Sequence, residues 1–323
     1  MIKIRAALIA ASVLMLAACG GGTAGAPEAS GAPSSAASTT VKVSVIPIVD
    51  VAPVYLGEQQ GFFAEEGLKL EIVSAQGGAA IVPAVVAGQV DFGFSNFTSL
   101  LVARSKNLPL KVVAPGAGST GKKGEDFGGV VVKADSPVKT AADLAGKKVA
   151  VNTLNNINDT TVRASIRAAG GDAKNVSFVE LAFPDMLAAL DNGNVDAVQV
   201  VEPFLATALK KGDRLVASNY VDTAPELTIA GYFTSQQTLD AKPDVVKKFT
   251  AAMQKSLKYA TDNPDAVRQV LLKYTKIDQA LTGELTLPTF PSEINTASLQ
   301  TLADLAVQDG LLQAAPDLKE LLP

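Results

Sequence analysis

The sequence contains no histidine, no tryptophan and only one cysteine, Cys19. Without imidazole the usual neutral-pH general base is missing. A lone thiol near the amino terminus offers neither a His-activated nucleophile nor a zinc site of the ordinary nitrogen and sulfur type. One cysteine forms no internal disulfide, so the fold must rest on its core. Aromatic residues make up only 5% of the chain, and any aromatic contact with a ligand falls to Phe or Tyr. Beyond the first 18 residues no apolar run is long and uninterrupted enough to cross a bilayer. No motif calls for a cofactor or a metal ion.

What is present begins with Lys3 and Arg5, an apolar stretch from Ala6 to Leu16, and then "LAAC", Leu16 to Cys19. A charged start, a short apolar core and small residues before a cleavage point make an export signal over residues 1–18. Leu-Ala-Ala-Cys resembles the lipobox of bacterial lipoproteins, which implies that Cys19 becomes the acylated amino terminus and anchors the chain to the cell membrane with palmitate or a similar chain. The alternative is an ordinary signal peptide beside an incidental cysteine. Residues 19–40 hold, after Cys19, only Gly, Ala, Ser, Thr and Pro with one charge, Glu28. Such a segment cannot bury enough surface to fold and is expected to be a flexible tether, spanning on the order of 25 Å by coil scaling. Removal of residues 1–18 leaves 26 basic against 32 acidic residues, a net charge of about −6. That balance gives no basic footprint for nucleic acid.

The remainder contains a repeat. "VVAGQVDFGFSN" (Val85 to Asn96) and "ALDNGNVDAVQVVEP" (Ala189 to Pro203) share a helix-like run, Gly-x-Val-Asp and an apolar strand. Gly88 and Gly193 stand 105 positions apart. Nearly the same offset relates "VKVSVIPIVD" (Val41 to Asp50) to "GKKVAVNTLNN" (Gly146 to Asn156). Each half reads strand, helix, strand, helix, strand, which predicts an α/β fold of two mostly parallel sheets flanked by helices.

In open sheets of this kind ligands bind beyond the carboxyl ends of the strands. That rule selects Asp50 to Tyr55, Gly77 and Gly78, and Ser95 and Asn96 in the first half. In the second it selects Asn152 to Asp159, Phe183 and Pro184, and Glu202 and Pro203. Several of these have structural alternatives. Asn and Asp also suit helix caps, which can account for Asp50 and for part of the loop "NTLNNIND". Four asparagines exceed what one helix start needs. Glu202 precedes a proline that keeps it extended, and it could equally be a solvated strand end or a hinge ion pair.

"APVYLGEQQGFFAEEGLKLEIV", "GGAAIVPAVVAGQVDFGFSN", "TAADLAGKKVAV" and "VVEPF", in this order, resemble the nitrate, sulfonate, taurine and thiamine-pyrimidine group of substrate-binding proteins for ABC transporters. The likeness extends over nearly all of Val41 to Pro323. It implies a two-lobed periplasmic-binding fold of the second type, with residues 41–130 and 232–323 in one lobe and 131–231 in the other. The chain is expected to cross near Phe127 to Pro137 and to return near Thr228 to Ser235. "PDVVKKFTAAMQKSLKYATDNP", with Val245, Val246, Phe249, Met253 and Leu257 at helical spacing, should then pack on the first lobe.

The resemblance further implies a monomer that closes on a small molecule and presents it to a permease and its ATPase. Its cleft positions fall at Asp50, Ala52, Gly78, Ser95, Asn96, Asn152, Asn156, Asp159 and Glu202. Tyr55 and Phe183 are available to stack on a ring, with core packing as their alternative. The strand-end loops hold carboxylates but no Lys or Arg. This points to a neutral or cationic amine or nitrogen heterocycle, with a sulfonate or nitrate as the other reading. The pyrimidine synthase that shares this fold depends on histidine and a cysteine-rich motif, and this chain has neither. An enzyme is therefore disfavoured. A binding protein reporting to a sensor would have the same cleft.

Overall fold

The computed structural model describes residues 38–322. The expected export signal, Cys19 and the expected tether up to residue 37 lie outside the described residues. Among the described residues ten strands form two five-stranded sheets. The first has the order β2 (Leu68–Ser74), β1 (Thr39–Val45), β3 (Phe92–Asn96), β10 (Thr228–Ser235), β4 (Leu110–Gly118). The second has the order β7 (Ser177–Glu180), β6 (Lys148–Val151), β8 (Ala197–Val201), β5 (Gly128–Val132), β9 (Arg214–Ala217). Alternation in β1 turns Val41, Val43 and Val45 into the core. The inner strands β3, β8 and β10 are buried along their whole length, as strands covered on both faces by helices must be.

The repeat is visible atom by atom. Gly88 and Gly193 each end a helix in the left-handed region, at φ 70° and 69°, where a side chain would be strained. Three residues on, Asp91 and Asp196 clamp the start of the neighbouring strand in the same way. Asp91 Oδ2 accepts from Lys42 N–H at 2.9 Å, and Asp91 N–H donates to the Lys42 carbonyl at 2.9 Å. Asp196 does the same with Lys148, at 2.8 Å and 2.8 Å. Gly-x-Val-Asp is therefore a turn followed by a register pin.

One strand in each sheet is reversed. β10 runs antiparallel to β3 and β4, and β5 runs antiparallel to β8 and β9. Both are the first strands entered from the other sheet. A short connection leaving β4 at its carboxyl end can only enter the second sheet at that sheet's carboxyl end, so the strand it feeds must run backwards.

The crossings occupy residues 119–127 and 218–227 and bind one another. Ser119 N–H donates to the Leu227 carbonyl at 2.9 Å, and Gly124 N–H to Ser218 Oγ at 2.8 Å. The buried carboxylate of Asp126 organises the first crossing by accepting from Ser119 Oγ at 2.7 Å and from Thr120 N–H at 2.9 Å. These positions correct the expected ones. "GGVVV" at 128–132 and "TIAGYFTS" at 228–235 are interior strands, so breaks after 130 and 231 would cut through β5 and β10. A short apolar run bordered by Gly reads as a connector or as a buried strand, and here burial decides for the strand.

The helix Pro243–Asp262 lies against the helix Ala52–Gln59 of the first sheet's layer. Its Val246, Phe249, Met253 and Leu257 are buried, and Val245 is half-buried. Phe249 stacks on Phe92 with ring centroids 3.8 Å apart. The two helices approach at Gly57, where an added Cβ would stand 1.9 Å from Ser256 Oγ.

Candidate functional site

The carboxyl ends of the two sheets meet around a small cavity of about 30 Å³. From the first sheet come Asp50 and Asn96, and from the second Asn152, Asn158 and Phe183, with Tyr220 of the second crossing closing one side. Asp50 gets there because β1 is followed by "IPI", after which the chain tightens into the 3-10 turn Val49–Val51 before the helix Ala52–Gln59 begins. Asp50 caps neither the turn nor the helix. It is 2% exposed, and its Oδ2 has no hydrogen-bond partner among the described residues. Burial pushes its carboxyl up to about 7, with the nearby Asp126 carboxylate adding to the effect.

The opposite wall is a chain of neutral polar groups. Tyr220 donates its hydroxyl to Asn158 Oδ1 at 2.8 Å, and Asn158 Nδ2 donates to Asn152 Oδ1 at 2.8 Å. Asn156 Nδ2 donates to the same Oδ1 at 2.9 Å, so the carbonyl of Asn152 is occupied and its amino group remains as a donor. Burial raises the Tyr220 phenol well above its ordinary range and keeps it a hydrogen donor. On the first sheet's side Asn96 lines the cavity while its Oδ1 caps the helix Phe97–Ser105 by accepting from Ser99 N–H at 2.9 Å.

Thus Asp50, Asn96, Asn152 and Phe183 line the cavity, and the other residues expected there do not. Asn156 and Asp159 form a capping box at the helix Ile157–Ala168. Asp159 Oδ1 accepts from Asn156 N–H at 2.8 Å and Oδ2 from Asn155 N–H at 2.8 Å. Gly78 opens the helix Gly78–Val86, where an added Cβ would lie 2.2 Å from Ser95 Oγ. Gly78 and Ser95 are thus a helix-to-strand packing contact. Ala52 is buried within its helix, and Tyr55 stacks on Tyr274 with centroids 4.0 Å apart.

Glu202 also lies outside the lining. Its Oε2 accepts from Ala206 N–H at 2.9 Å and its Oε1 from Thr286 N–H at 3.1 Å, although burial still pushes its carboxyl up to about 7. Both oxygens are committed to backbone donors. Asn158 fell within the strand-end stretch Asn152 to Asp159 without being singled out, and Tyr220 was not among the expected residues. Asn158 stands two positions past the cap, in the first turn of the helix Ile157–Ala168, where no local pattern reveals that its side chain faces the cavity. Tyr220 lies in a connection that only the three-dimensional path brings to the cleft.

Residues 48–267 match the NMT1/THI5-like family model. The chain belongs to the NMT1/THI5-like family. Among relatives of this NMT1/THI5-like chain, the formylaminopyrimidine-binding protein of Halalkalibacterium halodurans is 26% identical over 229 residues, 70% of this chain and 66% of the relative. The 4-amino-5-hydroxymethyl-2-methylpyrimidine phosphate synthase of Aspergillus parasiticus is 27% identical over 67% of this chain and 64% of its own length. The chain therefore spans slightly less than two thirds of the length of both relatives. Among solved structures, the alkanesulfonate-binding protein SsuA from Xanthomonas axonopodis pv. citri bound to MOPS superposes with a TM-score of 0.71. It is 18% identical, and the match covers 86% of this chain and 95% of that one. This likeness shows that the NMT1/THI5-like chain has the periplasmic-binding fold.

Proposed function

We propose that this protein is an extracytoplasmic solute receptor that captures a small nitrogen-bearing molecule between its two sheets and hands it to an ABC permease and its ATPase. The observation that carries the reading is the buried, unpartnered Oδ2 of Asp50 facing the amide and phenol wall of the second sheet. An acceptor kept from water and left unpaired is costly, and a ligand N–H relieves that cost. Asn152 and Asn96 would read the ligand's remaining polar edge. The sheets would act as lobes that close by a hinge at the two crossings, because a ligand favours closure only by touching both sides. A formylaminopyrimidine-binding relative supports a nitrogen heterocycle as the ligand class.

The lining contains no Lys or Arg, which disfavours a sulfonate or nitrate despite the shared fold with an alkanesulfonate-binding protein. Catalysis is not part of the proposal, since the chain has no histidine and its one cysteine stands at the export signal. Acylation of Cys19 would tether the receptor to the membrane. Mass spectrometry of the mature protein tests this by the presence or absence of a diacylglyceryl-modified amino-terminal cysteine.

A thermal-shift panel of aminopyrimidines, other nitrogen heterocycles, amines, alkanesulfonates and nitrate tests the ligand class. A ligand at about 100 times its dissociation constant stabilises the fold by roughly 2.7 kcal/mol. A shift with aminopyrimidines or amines is expected. A shift confined to sulfonates or nitrate contradicts the assignment of Asp50.

A further inference from the structure

The cavity beside Asp50 is too small for most of a metabolite. At about 30 Å³ it admits little more than one functional group. Next to it, on the outside of the seam between the sheets, lies a groove of about 390 Å³. Ile46, Ile48 and Phe183 line both spaces. They form a partition with Ile46 and Ile48 on one side, contributed by the loop after β1, and Phe183 on the other, at the start of the helix Phe183–Asp191. Because its halves belong to different sheets, the partition parts when the sheets separate. Cavity and groove then become one continuous channel.

The groove's chemistry differs from the cavity's. Pro47, Pro184 and Phe204 extend its apolar surface outward, and Phe204 stacks on Phe183 with centroids 5.9 Å apart and planes 14° apart. Polar groups stand at its edge, with Ser74, Gln76 and Asp185 exposed to solvent. Sites with apolar walls and a few placed polar groups, in the range of hundreds of cubic ångströms, hold the bulk of small-molecule ligands.

We infer that the ligand has two parts: a small N–H-donating head that enters the cavity and an apolar aryl body that lies in the groove against Phe204, with Ile46, Ile48 and Phe183 gripping the join. This rests on the function proposed above. The half-buried Phe204 ring, already stacked on Phe183, offers its surface as a platform for a flat ring. The disparity of volumes sets the division. A ligand made only of the head leaves the groove unused, and one lacking the head cannot reach Asp50.

The test is calorimetric titration of the purified protein with matched pairs of compounds. Each pair comprises a head alone (methylamine, ethylamine, 4-aminopyrimidine) and the same head carrying a benzyl group on its amino nitrogen, which keeps an N–H donor. The expected result is at least tenfold tighter binding of the benzyl member for one or more heads. Phe204→Ala should remove most of this gain, and Phe204→Leu, which keeps an apolar filler, should retain most of it. Equal affinity within every pair overturns the two-part ligand while leaving the head site standing. A benzyl gain that survives Phe204→Ala overturns the placement of the body. Failure of both members of every pair to bind contradicts the proposed function along with this inference.

Discussion

Val49 donates its backbone N–H to the backbone carbonyl of Glu202 at 3.1 Å, joining the end of β1 to the end of β8 across the seam between the sheets. The side chain of Glu202 adds a second link, because its Oε1 accepts from Thr286 N–H in the carboxyl-terminal segment. Glu202 therefore ties the loop after β8 to two segments packed with the first sheet, and its role follows from where its oxygens point.

Truncation of Glu202 should destabilise the protein with a defined pattern. Glu202→Ala strands the Ala206 and Thr286 N–H groups in a buried setting, at a cost of about 1–3 kcal/mol. Glu202→Gln keeps an oxygen acceptor and should lose less. Urea unfolding of the two variants separates this structural role from ligand recognition, since equal losses for Ala and Gln would contradict it.

Stability should fall as pH rises between about 4 and 7. Asp50 and Glu202 both have folded-state values of about 7, raised from 3.8 and 4.5 by burial. In that interval the folded chain keeps protons that the unfolded chain has released. The stabilisation from these groups is complete below about pH 4 and is lost as pH passes through 7. Comparison with Asp50→Asn isolates one group. The wild type should lose stability relative to the variant across this window, by on the order of a few kcal/mol. A constant difference at all pH values would show that Asp50 titrates normally.

Closure should be sensitive to Gly77. A Cβ there would stand 2.5 Å from Thr153 Cγ2 and 3.3 Å from Asn152 Nδ2, both on the second sheet's side. Gly77→Ala should wedge the seam and weaken ligand binding by roughly tenfold, about 1.4 kcal/mol. Thr153→Ser removes the obstructing methyl and should recover part of the loss in the double variant. Titration of the single and double variants with the same ligand checks this, and unchanged affinity in Gly77→Ala would place the seam wider than it is here.

Tyr220→Phe should cost about 1 kcal/mol of stability, because Asn158 Oδ1 loses the hydroxyl donor at 2.8 Å. It should also weaken the ligand, since Asn158 in turn positions Asn152 through the 2.8 Å bond between them. Thermal melting and titration of the same preparation measure both effects. A loss of stability with undiminished affinity would confine Tyr220 to the core.

The strand-end rule selects from sequence four residues that the structure brings together around the cavity proposed as the site. Asp50, Asn96, Asn152 and Phe183 all lie at the positions it selects, and the Gly-x-Val-Asp repeat located both halves of the fold. The rule could not assign direction. Asn152 and Asn156 are four residues apart in one polar loop, yet Asn156 spends its Oδ1 on the cap of the next helix while Asn152 reaches the cavity. Only the dihedral path of "NTLNNIND", including Asn155 at φ 57°, separates the two fates. Glu202 failed for a similar reason, because its partner Thr286 is 84 residues away in sequence and carries no signal of its own. The crossings were misplaced by a few residues because Gly-bordered apolar runs read the same whether they connect sheets or enter one.

The measurement that tests the central claim most directly is calorimetric titration of wild type and Asp50→Asn with the aminopyrimidine or amine that gives the largest thermal shift. Asp50→Asn should unfold at the same temperature or higher in the absence of ligand, since an unpaired buried carboxylate is removed. Its affinity should fall by at least 30-fold, about 2 kcal/mol. A variant that folds equally well and binds with undiminished affinity would contradict the assignment of Asp50 as the recognition group.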